Sequence, residues 1–174
     1  MSIYTLAEFL SKEECDRYIQ AIQAPQKRTN FTDSGKFTNH KYVDQALADI
    51  FFAKLQTYKL QEELLRPNNL VMTGFYKPGD QFGLHTDTGL YYNRATHEKS
   101  RWTLLIYLNT VEGEGATVFY DEEWKECKRI YPKEGTAILF DIDLWHKGDE
   151  LLTQFKYWIG CEVIGPFTPK DYDS

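Results

Sequence analysis

Cysteine is scarce in this chain of 174 residues: Cys15, Cys127 and Cys161 are odd in number, widely separated and never arranged as CxxC. That fits reduced thiols in a cytoplasmic setting rather than a disulfide framework. Basic runs are also missing. With 20 Lys+Arg against 26 Asp+Glu the net charge is −6, so a nucleic-acid or anionic-lipid surface has no electrostatic source. No apolar run approaches the ~20 residues that a bilayer requires. The opening stretch MSIYTLAEFLSKEE has neither the basic segment nor the apolar core of a signal peptide. No repeat, low-complexity tract or linker divides the chain, and one domain spanning residues 1–174 is expected. Aromatics, by contrast, are plentiful at 12 Tyr, 11 Phe and 4 Trp, which suits a thick β-rich core whose polar ring tips reach a cavity.

Ser11-Lys12-Glu13-Glu14 reads as a capping box, with Leu10 and Cys15 as its hydrophobic staple. The helix it opens repeats apolar positions at Cys15, Tyr18, Ile19 and Ile22 and should end near Pro25. A second amphipathic helix is read from Val43 through Ala46, Leu47, Ile50, Phe51 and Leu55. Beyond Pro67 the pattern changes to short runs rich in Val, Ile, Thr, Tyr and Phe, punctuated by KPGD, EGEG, PKEG and KGDE. Eight strands are expected: 70–76, 81–86, 102–108, 116–120, 127–131, 136–140, 144–147 and 155–163. A helical flank over about 1–66 and a jelly-roll body over about 67–166 follow. The segment 88–101, TGLYYNRATHEKSR, has no clear period and is long for a connection. It suits a binding loop or a surface excursion equally.

In FGLHTDTGLYY, His85 and Asp87 stand two apart on an extended run, so both project from one face. Alone, the pair suits a metal site or merely a polar loop edge. Of the remaining histidines, His40, His97 and His146, the last lies between an apolar strand and a glycine turn, where it could face an interior. Two imidazoles and one carboxylate form the facial triad of non-haem iron oxygenases. In FKYWIG, alternation puts Lys156, Trp158 and Gly160 on one face and Tyr157, Ile159 and Cys161 on the other. A lysine that points inward there needs a partner, which an anionic co-substrate could be, whereas one at the strand end could instead snorkel to solvent.

These motifs, in order, resemble the Fe(II)/2-oxoglutarate-dependent dioxygenases of the prolyl 4-hydroxylase-like branch. FYKPGDQFGLHTD is similar to that family's Y-x-x-G-x-x-x-x-x-H-x-D pattern, and LLIYLN, EGEGATVF and YPKEGTAILFDIDLWHKGDELLTQFKYWIGCEV follow as its later motifs do. The resemblance covers roughly residues 71–163 and implies a double-stranded β-helix, cupin-like and mainly β with flanking N-terminal helices. It implies that His85, Asp87 and His146 ligate Fe(II). Lys156 and Tyr107 would hold the distal carboxylate of 2-oxoglutarate, with Tyr76 lining the pocket near the metal. O2 would be the second co-substrate and ascorbate a supporting reductant.

The family's Gly-Gly is replaced here by Glu114-Gly115, or by Gly113 and Gly115 with Glu114 between them, a change in a turn that leaves the ligand set intact. Aspartate at position 87, where halogenating relatives carry a small residue, favours hydroxylation. The expected reaction is hydroxylation of an aliphatic C–H, first of all in a prolyl residue of a protein or peptide. A free amino acid or small metabolite is the alternative substrate, and a non-catalytic cupin-like binder the alternative role. Leu90, Tyr91, Tyr92 and Arg94, which follow the first two ligands, are expected to cover or select the substrate.

Overall fold

A computed structural model describes residues 2–23, 28–32 and 35–168. The capping box forms in both halves, Glu14 N donating to Ser11 Oγ and Ser11 N to Glu14 Oε1, and it opens α1 (Lys12–Gln23). The expected end near Pro25 lies outside the described residues. Helix α2 (Gln45–Leu55) starts later than its apolar pattern suggested, because Asp44 caps it by accepting from Leu47 N at 2.9 Å. Its buried stripe is accordingly Ala48, Phe51 and Leu55, while Val43 and Ile50 are exposed.

Thirteen strands are present among the described residues: β1 (Ile3–Leu6), β2 (Arg28–Thr32), β3 (Gly35–Val43), β4 (Arg66–Pro67), β5 (Leu70–Tyr76), β6 (Gln81–His85) and β7 (Tyr92–Asn93), then β8 (Glu98–Tyr107), β9 (Thr117–Tyr120), β10 (Glu126–Ile130), β11 (Ala137–Asp141), β12 (His146–Gly148) and β13 (Lys156–Pro166). The expected helical flank thus also contains three strands, of which β1 and β3 lie on the main path of the sheet. All eight expected strands occur, with their ends shifted by a few residues.

Pairing is antiparallel throughout and follows one main path, β1-β11-β8-β13-β5-β3-β6-β12-β9-β10, with β2 added on β3, β4 on β13 and β7 on β8. The path doubles back at β3, so the sheet from β1 to β3 faces the sheet from β6 to β10. Contacts such as Phe119 against Phe140, 5.0 Å between ring centroids, close the space between them. Both helices cover the outer face of the larger sheet. There Cys15, Phe51 and Leu55 pack with Ile106, Ile159, Cys161 and Val163 in the main core, burial that contributes most of the folding free energy. The opposite, inward positions of β8 and β13 face the cavity between the sheets. Among the described residues no helix is long and apolar enough to cross a membrane.

Candidate active site

Strands β6 and β12 pair so that His85 and His146 are direct register partners, and their rings stand 4.3 Å apart. Asp87 follows on the chain leaving β6, fixed by its N–H to the Ile142 carbonyl at 3.1 Å. One ligand atom from each of the three lies within 4.8 Å of the others. Among the described residues this is the one such cluster. His85 Nε2 is 3.6 Å and His146 Nε2 3.7 Å from Asp87 Oδ1.

Each imidazole donates from Nδ1 to the carbonyl two residues earlier, His85 to Gly83 O at 2.7 Å and His146 to Leu144 O at 2.8 Å. A carbonyl only accepts, so the proton sits on Nδ1 and the lone pair of Nε2 turns towards the carboxylate. The other oxygen of Asp87, Oδ2, accepts from Thr103 Oγ1 at 2.6 Å. Burial lowers the His146 imidazole against the opposing charge of Asp87 and keeps it neutral. Burial raises the Asp87 carboxyl, but the bond from Thr103 and the two facing imidazoles, His85 and His146, which oppose its protonation by taking up positive charge themselves, outweigh burial and hold the group below its ordinary range. Two neutral nitrogens and one carboxylate oxygen, preset on two strands, fit a divalent iron with positions left open. His40 stacks on Tyr42 on the outer face of β3, and His97 packs against Phe167 in the β7–β8 turn. Neither joins the cluster.

The cavity beside the triad measures about 250 Å³. Lys156 enters it from β13, 3 % exposed, and donates from Nζ to the carbonyl of Gly115 at 3.0 Å. It lies 5.2 Å from the ring centroid of Tyr76 and 5.6 Å from that of Tyr107. No carboxylate of the described residues lies within ion-pairing distance, and burial pushes the ammonium down to about 8. A buried cation with only a carbonyl for company fits an anionic ligand. The Tyr107 hydroxyl, from β8, donates to Thr117 Oγ1 of the facing sheet at 2.6 Å. Tyr76, the register partner of Lys156, stacks on Phe37 with centroids 5.3 Å apart. Burial raises both phenols, which stay neutral.

Two glycines shape this end. At Gly74 a Cβ would lie 1.8 Å from Trp158 Nε1, so its absence lets the indole lie across β5. Gly115 holds φ +66, a conformation glycine adopts without strain, and it presents the carbonyl that Lys156 uses. Beside it Glu114 accepts the backbone N–H groups of Leu152, Thr153 and Gln154. The residue that interrupts the expected Gly-Gly therefore ties down the turn leading into β13.

Of the four residues expected to meet the substrate, Leu90 lines the cavity. Tyr91 lies under the Arg66 guanidinium at 5.0 Å and Tyr92 stacks on Phe167 at 5.4 Å. Arg94 sits in the turn after β7. The expected loop is thus largely a hairpin of β7 with β8, and its first residues alone reach the cavity. Thr103, Lys41 and Glu162, all on the cavity wall, escaped sequence reasoning. Alternation continued two steps back from Tyr107 and three steps on from Lys156 would have reached Thr103 and Glu162.

A double-stranded β-helix whose inner wall carries an imidazole-carboxylate-imidazole cluster beside a buried lysine defines a class, the mononuclear metal oxygenases that take a dicarboxylate co-substrate. Residues 71–160 match the model of the 2OG-Fe(II) oxygenase superfamily, and the chain belongs to that family, which uses Fe(II), 2-oxoglutarate and O2. Probable prolyl 4-hydroxylase 7 of Arabidopsis thaliana is 25% identical over 169 residues, covering 79% of this chain and 52% of the relative. The chain therefore spans about half the length of the curated relative it matches. Two solved structures share the fold. The viral collagen prolyl hydroxylase vCPH from Paramecium Bursaria Chlorella virus-1, a 2OG complex, has 22% identity and a TM-score of 0.68 over 95% of this chain and 97% of that one. A Pseudomonas putida prolyl-4-hydroxylase has 13% identity and a TM-score of 0.67 over 92% and 91%.

Proposed function

We propose that this oxygenase hydroxylates a prolyl residue of a peptide or protein, with His85, Asp87 and His146 holding Fe(II) and Lys156 and Tyr107 holding the distal carboxylate of 2-oxoglutarate. One observation carries the reading. The Lys156 ammonium is buried without a carboxylate partner among the described residues, in the same cavity as the three convergent donors. When bound, the iron and its co-substrates supply the oxidising power to convert an aliphatic C–H to C–OH while 2-oxoglutarate leaves as succinate and CO2.

The chain's own residues do the rest. Thr103 holds Asp87 so that Oδ1 faces the imidazoles, and the carbonyls of Gly83 and Leu144 keep both Nε2 atoms free of protons. Lys156 pairs with the far carboxylate as a charge-assisted donor, and the Tyr107 hydroxyl, turned from Thr117, supplies a second donor. Phe82, Phe119 and Phe140 surround the two imidazoles with rings and limit water at the reacting centre. Leu90 offers the substrate an apolar edge. The prolyl assignment is supported by the names of the relatives, and the three free thiols, Cys15 and Cys161 buried, support a cytoplasmic setting.

Purified protein given Fe(II), 2-oxoglutarate, ascorbate and proline-containing peptides is expected to release succinate and add one oxygen to a prolyl residue, read by mass spectrometry. Unchanged Fe(II) binding in His146→Ala would sink the ligand assignment. Succinate release coupled to oxidation of some other residue would overturn the prolyl reading alone.

A further inference from the structure

Past Lys156 and Trp158, the inward face of β13 continues through Gly160 to Glu162, whose side chain lines the cavity although the residue is only 2 % exposed. Its Oε2 accepts from the Leu90 N–H at 2.9 Å and from Ser100 Oγ at 2.5 Å. Among the described residues no donor reaches Oε1. A carboxylate offers about four acceptor positions, and those of Oε1 are left open to the cavity.

Its place along the strand is informative. Lys156 and Glu162 are separated by about 20 Å of extended strand at roughly 3.3 Å per residue. Glu162 is the register partner of Thr103, which holds Asp87, so the carboxylate lies beyond the iron ligands as seen from Lys156. The cavity is thus cationic at the co-substrate end and anionic at the end where Leu90 admits the substrate. Lys41, from β3, lines the same wall and acts on Glu162 by charge.

Resting on the oxygenase reading, we propose that Glu162 is the specificity residue of this site and receives a protonated nitrogen, ammonium or guanidinium, carried by the substrate. A basic residue beside the target proline supplies that group in a peptide. The amino group supplies it in a free amino acid, whose carboxylate would then meet Lys41. Burial raises the Glu162 carboxyl, and a cationic substrate reverses that tendency on arrival. A carboxylate serving only to anchor Leu90 and Ser100 could be replaced by an amide oxygen, which still accepts both bonds, though more weakly.

Glu162→Gln separates the two roles. Binding is measured by calorimetry, without oxygen and with Fe(II) and 2-oxoglutarate present. The probes are a proline peptide flanked by lysine, the same peptide with that lysine acetylated, free L-proline and N-acetyl-proline. In the wild-type protein, neutralising the probe is expected to weaken binding about tenfold or more in one of the two pairs. The pair affected identifies the source as peptide or amino acid. In Glu162→Gln the preference should shrink to about twofold or less. A wild-type protein with no preference in either pair, or a preference that survives in Glu162→Gln, overturns the proposal. Failure of the oxygenase reading is scored separately, by the Fe(II) content and succinate release of the wild-type protein.

Discussion

Replacing Lys156 by methionine should stabilise the protein while removing its grip on 2-oxoglutarate. In the fold, burial holds the ammonium at about 8 against an ordinary 10.5, a gap equivalent to roughly 3 kcal/mol of destabilisation near neutrality. Below about pH 8 the lysine is protonated in both folded and unfolded chains, and this cost is present in full. Between about 8 and 10.5 the unfolded chain binds more protons than the folded one, so wild-type stability from this group rises with pH. Methionine removes the cost at every pH and is close to lysine in volume, but it leaves the Gly115 carbonyl without its donor, a loss of about 1–2 kcal/mol. The balance near pH 7 is a gain of roughly 1–2 kcal/mol, or about 2–8 °C in melting temperature for a chain of this size. Thermal unfolding by circular dichroism, without metal or co-substrate, should show that gain at pH 7 and show it closing as pH approaches 10. Adding metal should stabilise both proteins, and adding 2-oxoglutarate on top of it should stabilise the wild-type protein further and Lys156→Met far less. A variant that melts below wild type at pH 7, with a difference insensitive to pH, would refute the reasoning.

Two further substitutions probe the supports of the site. Thr103→Val removes the hydrogen bond to Asp87 Oδ2 and should lower iron affinity about tenfold; metal titration at unchanged affinity would show that the threonine is dispensable. Gly74→Ala places a methyl 1.8 Å from Trp158 Nε1, so the indole must move. It should cost about 1–3 kcal/mol and weaken 2-oxoglutarate binding, whereas wild-type melting and binding would mean that the indole moves freely.

What the sequence made legible follows from how strongly each feature is coupled to a local rule. The period-two pattern of β13 survives intact, Tyr157, Ile159, Cys161 and Val163 packing with the helices and Lys156 and Trp158 facing inward. The capping box names its own first turn. By contrast β3, GKFTNHKYV, has polar residues on both faces, because Asn39 and Lys41 line the cavity while His40 lies on the other side. Its alternation therefore carries no hydrophobic signal. Glu162 was hidden for the opposite reason. It sits inside IGCEVIG, an apolar run in which a single acid is outvoted by its neighbours. Tyr91 and Tyr92 looked like parts of a lid because the short β7 leaves no periodic trace, and their partners Arg66 and Phe167 are far away in sequence.

Because His85 and His146 take their tautomers from main-chain carbonyls two residues earlier, no substitution of a neighbouring side chain can delete either acceptor. Positions 83 and 144 are thus open to drift as far as proton placement is concerned, and a comparison of homologous sequences would find no partner residue covarying with either histidine. Asp87 differs, since Thr103 is a side chain and can be lost. Transplanting this centre onto another pair of antiparallel strands therefore requires histidines in register and one hydroxyl for the carboxylate, a short recipe whose main ingredient is the backbone itself.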